Sequence, residues 1–410
     1  MLKVILAALG LVCGPALAQS TAPNQAQQDQ DRFEKALSES VMPLMQSGEA
    51  LTGTGGAWLT EKAAKAGILM IGEMHGVADI ARAASTLARA NGARIYAAEV
   101  GDTAAWKLNP LLVTSDGAFE AYMADARRAN SFAFLNMREE ADFARTVMRH
   151  SDGQRGEMWG LDQEFITSGP VLMERLASLA RTPAQKEAVD KARPDFEQNF
   201  FALSKVPKAT FENLRAAFAK GSPAAQTLIE DTALSNDIYA ALGYAQNAPR
   251  EELMKRKFLM HWRKAAKARG GAPKVVMKFG SNHLQAGLST TMVPALGGFV
   301  RNLALMEGKN TFSVFILCGP DGAQRAFDGS AASCQKEFEG ALGKLAAHAR
   351  SDTSIVFNTA PLRAIAGTLK RLNVGEDARQ YIFSYDALVV LNDATPATHF
   401  ATPKPEWFQQ

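Results

Sequence analysis

Seven short apolar runs, at 68–72, 94–100, 157–161, 274–280, 311–318, 354–358 and 387–392, alternate with longer stretches of helical period and constrain this chain more than any other feature. A run that is apolar almost throughout belongs to a strand buried on both faces, and such strands are covered by helical crossovers. The predicted fold class is therefore α/β, a mainly parallel sheet flanked by helices. After the first run, Val77, Ile80, Ala84 and Leu87 recur at three- and four-residue steps, and Asn91-Gly92 supplies a stop. Residues 170–270 carry no strand signal and are expected to form an all-helical insertion acting as a cap, ending in a long helix over 249–270. At 410 residues, 47% of them hydrophobic, the chain can bury the core of such a domain, and its composition excludes disordered, collagen-like and multi-span membrane proteins.

The first residues place Lys3 before an apolar run that ends in Ala16-Leu17-Ala18, the small-x-small pattern of a cleaved secretory signal. The expectation is a signal peptide over 1–18, cleavage after Ala18, and a periodic-free, Gln-rich flexible leader over 19–31 before the main domain at 32–405. The apolar run is shorter than the roughly 18–20 residues that span a bilayer, so no stable membrane insertion is expected after cleavage. The location that follows is periplasmic or secreted. Removing the leader removes Cys13 and leaves Cys318 and Cys334, an even pair that an oxidising compartment would join. No C-x-x-C pair or Cys/His metal spacing is present. The 45 basic and 42 acidic residues are spread along the chain, which points away from nucleic acid and toward a small-molecule substrate.

The nucleophile elbow G-x-S-x-G, S-x-x-K, H-E-x-x-H, the P-loop and G-x-G-x-x-G are all absent. What the sequence offers instead is a polar group at the carboxyl end of one strand after another. The first run leads into Glu73 and His75, the second ends at Glu99, the third at Asp162-Gln163-Glu164, the fourth at Ser281-Asn282-His283. In parallel sheets the ligand crevice lies outside those ends, so side chains 200 residues apart can meet there.

Gly72-Glu73-Met74-His75-Gly76, Ala98-Glu99, Gly160-Leu161-Asp162-Gln163, Ser281-Asn282-His283 and Tyr385-Asp386-Ala387-Leu388-Val389-Val390 occur in the order of the landmarks of erythromycin esterase-like proteins, and over about 50–400 the chain resembles that family. The family belongs to a wider α/β group with the haem-uptake ChaN proteins and the TIKI and TraB proteases. The resemblance implies that His75 is a general base activating water, with Glu73 and Glu99 in the same polar cluster and His283 as the second histidine. The family carries two histidines in the segment where this chain has Gly280-Ser281-Asn282-His283, so one of them is unmatched. Arg256 fits the family arginine that precedes an aromatic helix segment, and its spacing from Leu253, Leu259 and Met260 places it on an apolar face, where a carboxylate partner is one expectation and an arginine snorkelling to solvent the alternative.

Asp79 and Arg82 follow His75 by four and seven residues, a spacing that on a helix aligns all three, so Asp79 is a candidate to orient the imidazole and Arg82 to hold an anionic group, with a surface ion pair as the alternative. Asp162 is a further candidate substrate contact. His150, His261, His348 and His399 have no companion motif. Three functions are compatible with these residues. The first is an exported ester or lactone hydrolase that attacks with water and needs no cofactor. The second is a hydrolase or protease in which Glu73, His75, Glu99 and His283 hold a divalent metal. The third is a non-enzymatic protein that binds haem or another small ligand.

Overall fold

A computed structural model describes residues 24–114, 116–149, 155–349 and 353–409. The expected signal peptide, its cleavage site after Ala18, Cys13 and His150 lie outside the described residues. The strands are β1 (Val41–Ser47), β2 (Ala50–Thr52), β3 (Ile68–Glu73), β4 (Ile95–Gly101), β5 (Glu157–Asp162), β6 (Val275–Gly280), β7 (Thr311–Cys318), β8 (Ala323–Arg325), β9 (Ala331–Ser333), β10 (Ser354–Asn358) and β11 (Ala387–Leu391). Nine form one sheet in the order β2-β1-β10-β11-β7-β3-β6-β4-β5, and β8 and β9 make a separate hairpin. The six strands from β11 to β5 run parallel. β10, β1 and β2 continue the sheet by antiparallel pairing. The fold is thus the α/β architecture that the apolar runs predict, with an antiparallel margin they do not.

The chain leaves β3 in one direction, crossing β6 to reach β4, and leaves β6 in the other, crossing β3 to reach β7. Such a reversal opens a crevice above the carboxyl ends of the strands beside it. The helix Ala78–Asn91 forms the first crossover and stops at Gly92, whose φ of 71° takes the left-handed turn that glycine tolerates.

Between β5 and β6 the described residues form only helices: Gly169–Leu179, Pro183–Glu197, Ala202–Lys205, Lys208–Ala217, Pro223–Ala240 and Tyr244–Arg269. The insertion has a small apolar core of its own, including Leu176, Phe196, Phe211 and Leu228. Its last helix, which begins five residues before the predicted 249, returns to the sheet by packing Phe258 and Trp262 toward Trp159 of β5, with Phe258 centred 5.9 Å from Trp159 and 5.8 Å from Trp262.

The expectation of a flexible leader to residue 31 is corrected over its second half. The helix Gln25–Ser40 begins at an Asn24 cap, and Asp29 on it is buried, held by Arg371 through two 2.6 Å contacts and by Thr368. Glutamines are good helix formers, and the helix is secured by tertiary contacts that a local reading of polarity does not register. Cys318 and Cys334 are joined, tying the end of β7 to the start of the helix Gln335–Leu342. Among the described residues no helix is long and apolar enough to cross a membrane.

Candidate functional site

The ends of β3, β6, β4 and β5 bring Glu73, His75, Glu99, Asp162 and His283 into one connected cluster. Glu73 closes β3, and the turn that follows carries His75. Gly76 makes that turn possible: its φ is 76°, and a Cβ there would lie 2.2 Å from the Arg325 carbonyl oxygen. The Gly76 carbonyl in turn accepts from the amides of Arg325 and Ala397, at 2.7 and 2.8 Å, so the turn is held by the β8–β9 hairpin and by the C-terminal segment. Glu99 sits in a bulge. The pairing of β4 with β5 is regular to Ala98 opposite Gly160, then resumes at Gly101 opposite Asp162, leaving one extra residue on β4. Bulges of this kind re-aim side chains near sites.

The His75 ring is fixed on three sides. Nδ1 lies 3.0 Å from Glu73 Oε1, Nε2 lies 3.8 Å from Glu99 Oε2, and Phe134 stacks on one face with centroids 3.8 Å apart and planes 12° from parallel. Phe134 has a φ of 59°, a conformation that bulky residues rarely adopt. Gly280 supplies the last boundary: a Cβ on it would stand 2.7 Å from His75 Nε2. The side chain of His75 is 35% exposed, against 3% for Glu73, 4% for Glu99 and 10% for His283. It is the most exposed of these four side chains.

Glu99 is the centre of the arrangement. Oε1 accepts from Arg250 Nη2 at 2.9 Å and lies 3.3 Å from His283 Nε2, and Oε2 accepts from the Gly280 amide at 2.5 Å. His283 Nδ1 contacts Glu251 Oε1 at 2.6 Å, and Glu251 Oε2 accepts from the Leu296 amide at the start of the helix Leu296–Met306. Arg250 forms a two-pronged pair with Asp162, through Nε at 2.8 Å and through Nη2. Behind Glu73, Lys278 of β6 bonds both Glu73 Oε2 and Glu140 Oε2, the latter at 2.6 Å.

Each protonation state follows from these contacts. Burial pushes the Glu73 carboxyl up, but Lys278 and His75 outweigh it and hold it below the ordinary carboxylate range. Burial likewise opposes ionisation of Glu99, yet His283, His75 and Arg250 keep it strongly acidic. Burial and Arg250 work against a charged His283, while Glu99 and Glu251 raise its pKa to about 9, so it is an imidazolium at neutral pH. For His75, burial lowers and Glu73 and Glu99 raise, with a net upward displacement from 6.5. Glu140 is pushed up to about 7, chiefly by burial and by Glu73.

Two sequence expectations are corrected. Arg256 is exposed and its side chain makes no ion pair or hydrogen bond among the described residues. The inward stripe of its helix is Glu251, Met254, Lys257, Phe258 and Trp262, with Arg250 beside it, so the arginine that reaches the carboxylates is Arg250. Asp79 and Arg82 do not align with His75, because the helix begins only at Ala78, after the turn. They pair with each other at 2.8 Å, Asp79 accepts from Thr395, and Arg82 lies 3.7 Å from Glu139. The metal set Glu73, His75, Glu99 and His283 does not fit a cation. Glu73 and Glu99 are already engaged by Lys278, Arg250 and a protonated His283, and no group of three or more His, Cys, Asp or Glu among the described residues converges as metal ligands do.

Arg250, Glu251, Lys278, Glu140 and Phe134 complete the site and were not singled out in sequence. Lys278 alone left a signal, a cation in the middle of an apolar run.

No sequence profile of a known protein family and no curated protein matches the chain. Its fold is shared with solved structures. A Bacillus cereus protein aligns with a TM-score of 0.57 and 12% identity, over 92% of this chain and 100% of that one. A protein described as a succinoglycan biosynthesis protein aligns with a TM-score of 0.53 and 11% identity, over 90% and 98%. A mutant of the erythromycin esterase EreC in its open conformation aligns with a TM-score of 0.55 and 16% identity, over 82% of this chain and 93% of that one, so the likeness read from strand-end motifs is a likeness of fold.

Proposed function

We propose that the protein is an exported hydrolase that opens an ester or lactone with water activated by His75, without a covalent nucleophile on the protein. The observation that carries the reading is the geometry of His75, the most exposed member of a largely buried ionised cluster, with Nδ1 engaged by Glu73 and Nε2 without a hydrogen bond. In the neutral ring, Nδ1–H donates to Glu73, which leaves the Nε2 lone pair, 3.8 Å from Glu99 Oε2, to accept a proton. Water held there gives its proton to Nε2 as its oxygen attacks the carbonyl carbon. The imidazolium formed sits between two carboxylates, Glu73 and Glu99, that stabilise it. Arg250 Nη1 hydrogen-bonds no protein group among the described residues and is the donor for the developing oxyanion. Collapse of that intermediate breaks the carbon–oxygen bond, and the proton returns from Nε2 to the leaving alkoxide.

The shared fold with an erythromycin esterase supports ester chemistry as a class. The Cys318–Cys334 bond supports an oxidising compartment, hence export to the periplasm or beyond. The test is a panel of esters and lactones assayed with and without chelator. His75→Ala is expected to lower turnover by about 10² to 10⁴ while folding stays intact, and Arg256→Ala, a surface control, to leave it unchanged. Turnover should fall in acid with a midpoint above 6.5, since the base works only when deprotonated. A His75→Ala protein with full activity sinks the reading; loss of activity in chelator would reinstate the metal.

A further inference from the structure

We propose that Lys278 and Glu140 are positioning residues for His75: with Glu73 they form a buried row of charges behind the imidazole that fixes its orientation and sets the pH at which Nε2 becomes free to accept a proton. The inference rests on the reading of His75 as the base.

Lys278 lies in β6 at the middle of the parallel sheet, opposite Ile71 of β3 and Ala98 of β4. An apolar residue there would continue the core. A lysine with its side chain 1% exposed has given up its hydration and is kept only by partners, here two carboxylates. One of them, Glu73, holds His75. The other, Glu140, has no role in the chemistry proposed above, and its Oε1 has no hydrogen-bond partner. Nothing but Lys278 favours its ionised form strongly, and it titrates at about 7, the range in which His75 must work. Glu140 stands on the helix Arg138–Met148, whose first amide donates to the Thr398 carbonyl at 2.8 Å, so the row is anchored to the same C-terminal segment as the His75 turn.

The charged groups around His75 are Glu73 and Glu99 in contact, Lys278 and Glu140 behind Glu73, and Arg250 and His283 behind Glu99. Among them Lys278 disfavours the imidazolium and Glu140 favours it. Removing each should therefore move the His75 midpoint in opposite directions, a pattern that lost packing does not produce.

The experiment is an NMR titration of the His75 ring in the full chain, its signal assigned by its loss in His75→Gln. Glu140→Gln is expected to lower the midpoint by about half a unit or more, and Lys278→Met to raise it, by less because Glu140 then takes up a proton. An unchanged midpoint in Glu140→Gln, or shifts of the same sign in both variants, overturns the proposal. If Lys278→Met does not fold, Glu140→Gln decides alone. The titration needs no substrate, so a failure of the hydrolase reading is separable from a failure of this one.

Discussion

Replacing Gly280 by alanine adds one carbon to a backbone that accepts it, since φ is −51° and ψ is 140°. The carbon would lie 2.7 Å from His75 Nε2, 3.2 Å from Cε1 and 3.4 Å from Glu99 Oε2. An ordinary contact of about 3.4 Å requires the ring to retreat by roughly 0.7 Å, as expected of close-packed interiors. It has nowhere easy to go. Phe134 is stacked on one face and Glu73 holds Nδ1, so the retreat breaks one of these contacts or tilts Nε2 away from its water. A misplacement of about 1 Å can lower a rate about 100-fold, so the smaller displacement here is expected to lower kcat about 10- to 100-fold, or roughly 1.4–2.7 kcal/mol of barrier. KM should change little, because the perturbed atom acts in the chemical step. The assay is steady-state kinetics on the best ester of the panel, beside thermal unfolding of the same preparations. Full kcat in Gly280→Ala would refute the argument that the position of the ring is what matters.

Two further perturbations have defined outcomes. His283 is raised to about 9 in the folded protein from 6.5, so its contribution is fully present below pH 6.5 and is lost as pH rises through 9; urea unfolding should show a decline of about 3 kcal/mol between pH 7 and 10 that His283→Gln abolishes, and an equal slope in both proteins counts against the ion pairs with Glu99 and Glu251. The Cys318–Cys334 loop, with a sequence separation of 16, should contribute about 3 kcal/mol, seen as a lower unfolding midpoint on reduction, and two thiols that alkylate without reductant in exported protein would dispose of the bond.

The seven predicted runs all became strands, because a strand buried on both faces writes itself as unbroken apolar sequence. β1 was illegible for the opposite reason: VMPLMQS contains Pro43 and alternates between exposed and buried positions, and its pairing with β10 is antiparallel and distant in sequence. The strand ends disclosed Glu73, His75, Glu99, Asp162 and His283, since topology alone gathers them at one edge. The contribution of the helix Tyr244–Arg269 is harder to read from sequence. Its buried face mixes Glu251 and Lys257 with Leu253, Met254, Phe258 and Trp262, so an apolar stripe alone does not single out Arg250 as the arginine that reaches the carboxylates. Glu140 and Phe134 have no local signature, because their meaning lies in what stands across from them.

The C-terminal segment described above adds a constraint of timing. Thr395 and Thr398 bind Asp79, Glu139 and the amides at the starts of their helices, and Ala397 holds the turn of His75, yet they follow His75 by more than 300 residues. At 5–20 residues per second a ribosome needs roughly 15 to 60 s to deliver them. For the first part of that interval, until residue 318 has been made, β3 also lacks its neighbours β6 and β7, so the turn has neither the sheet beneath it nor the brace above it. A chain that has reached residue 318 but not residue 395 therefore carries every residue of the cluster without the brace that holds the turn of His75.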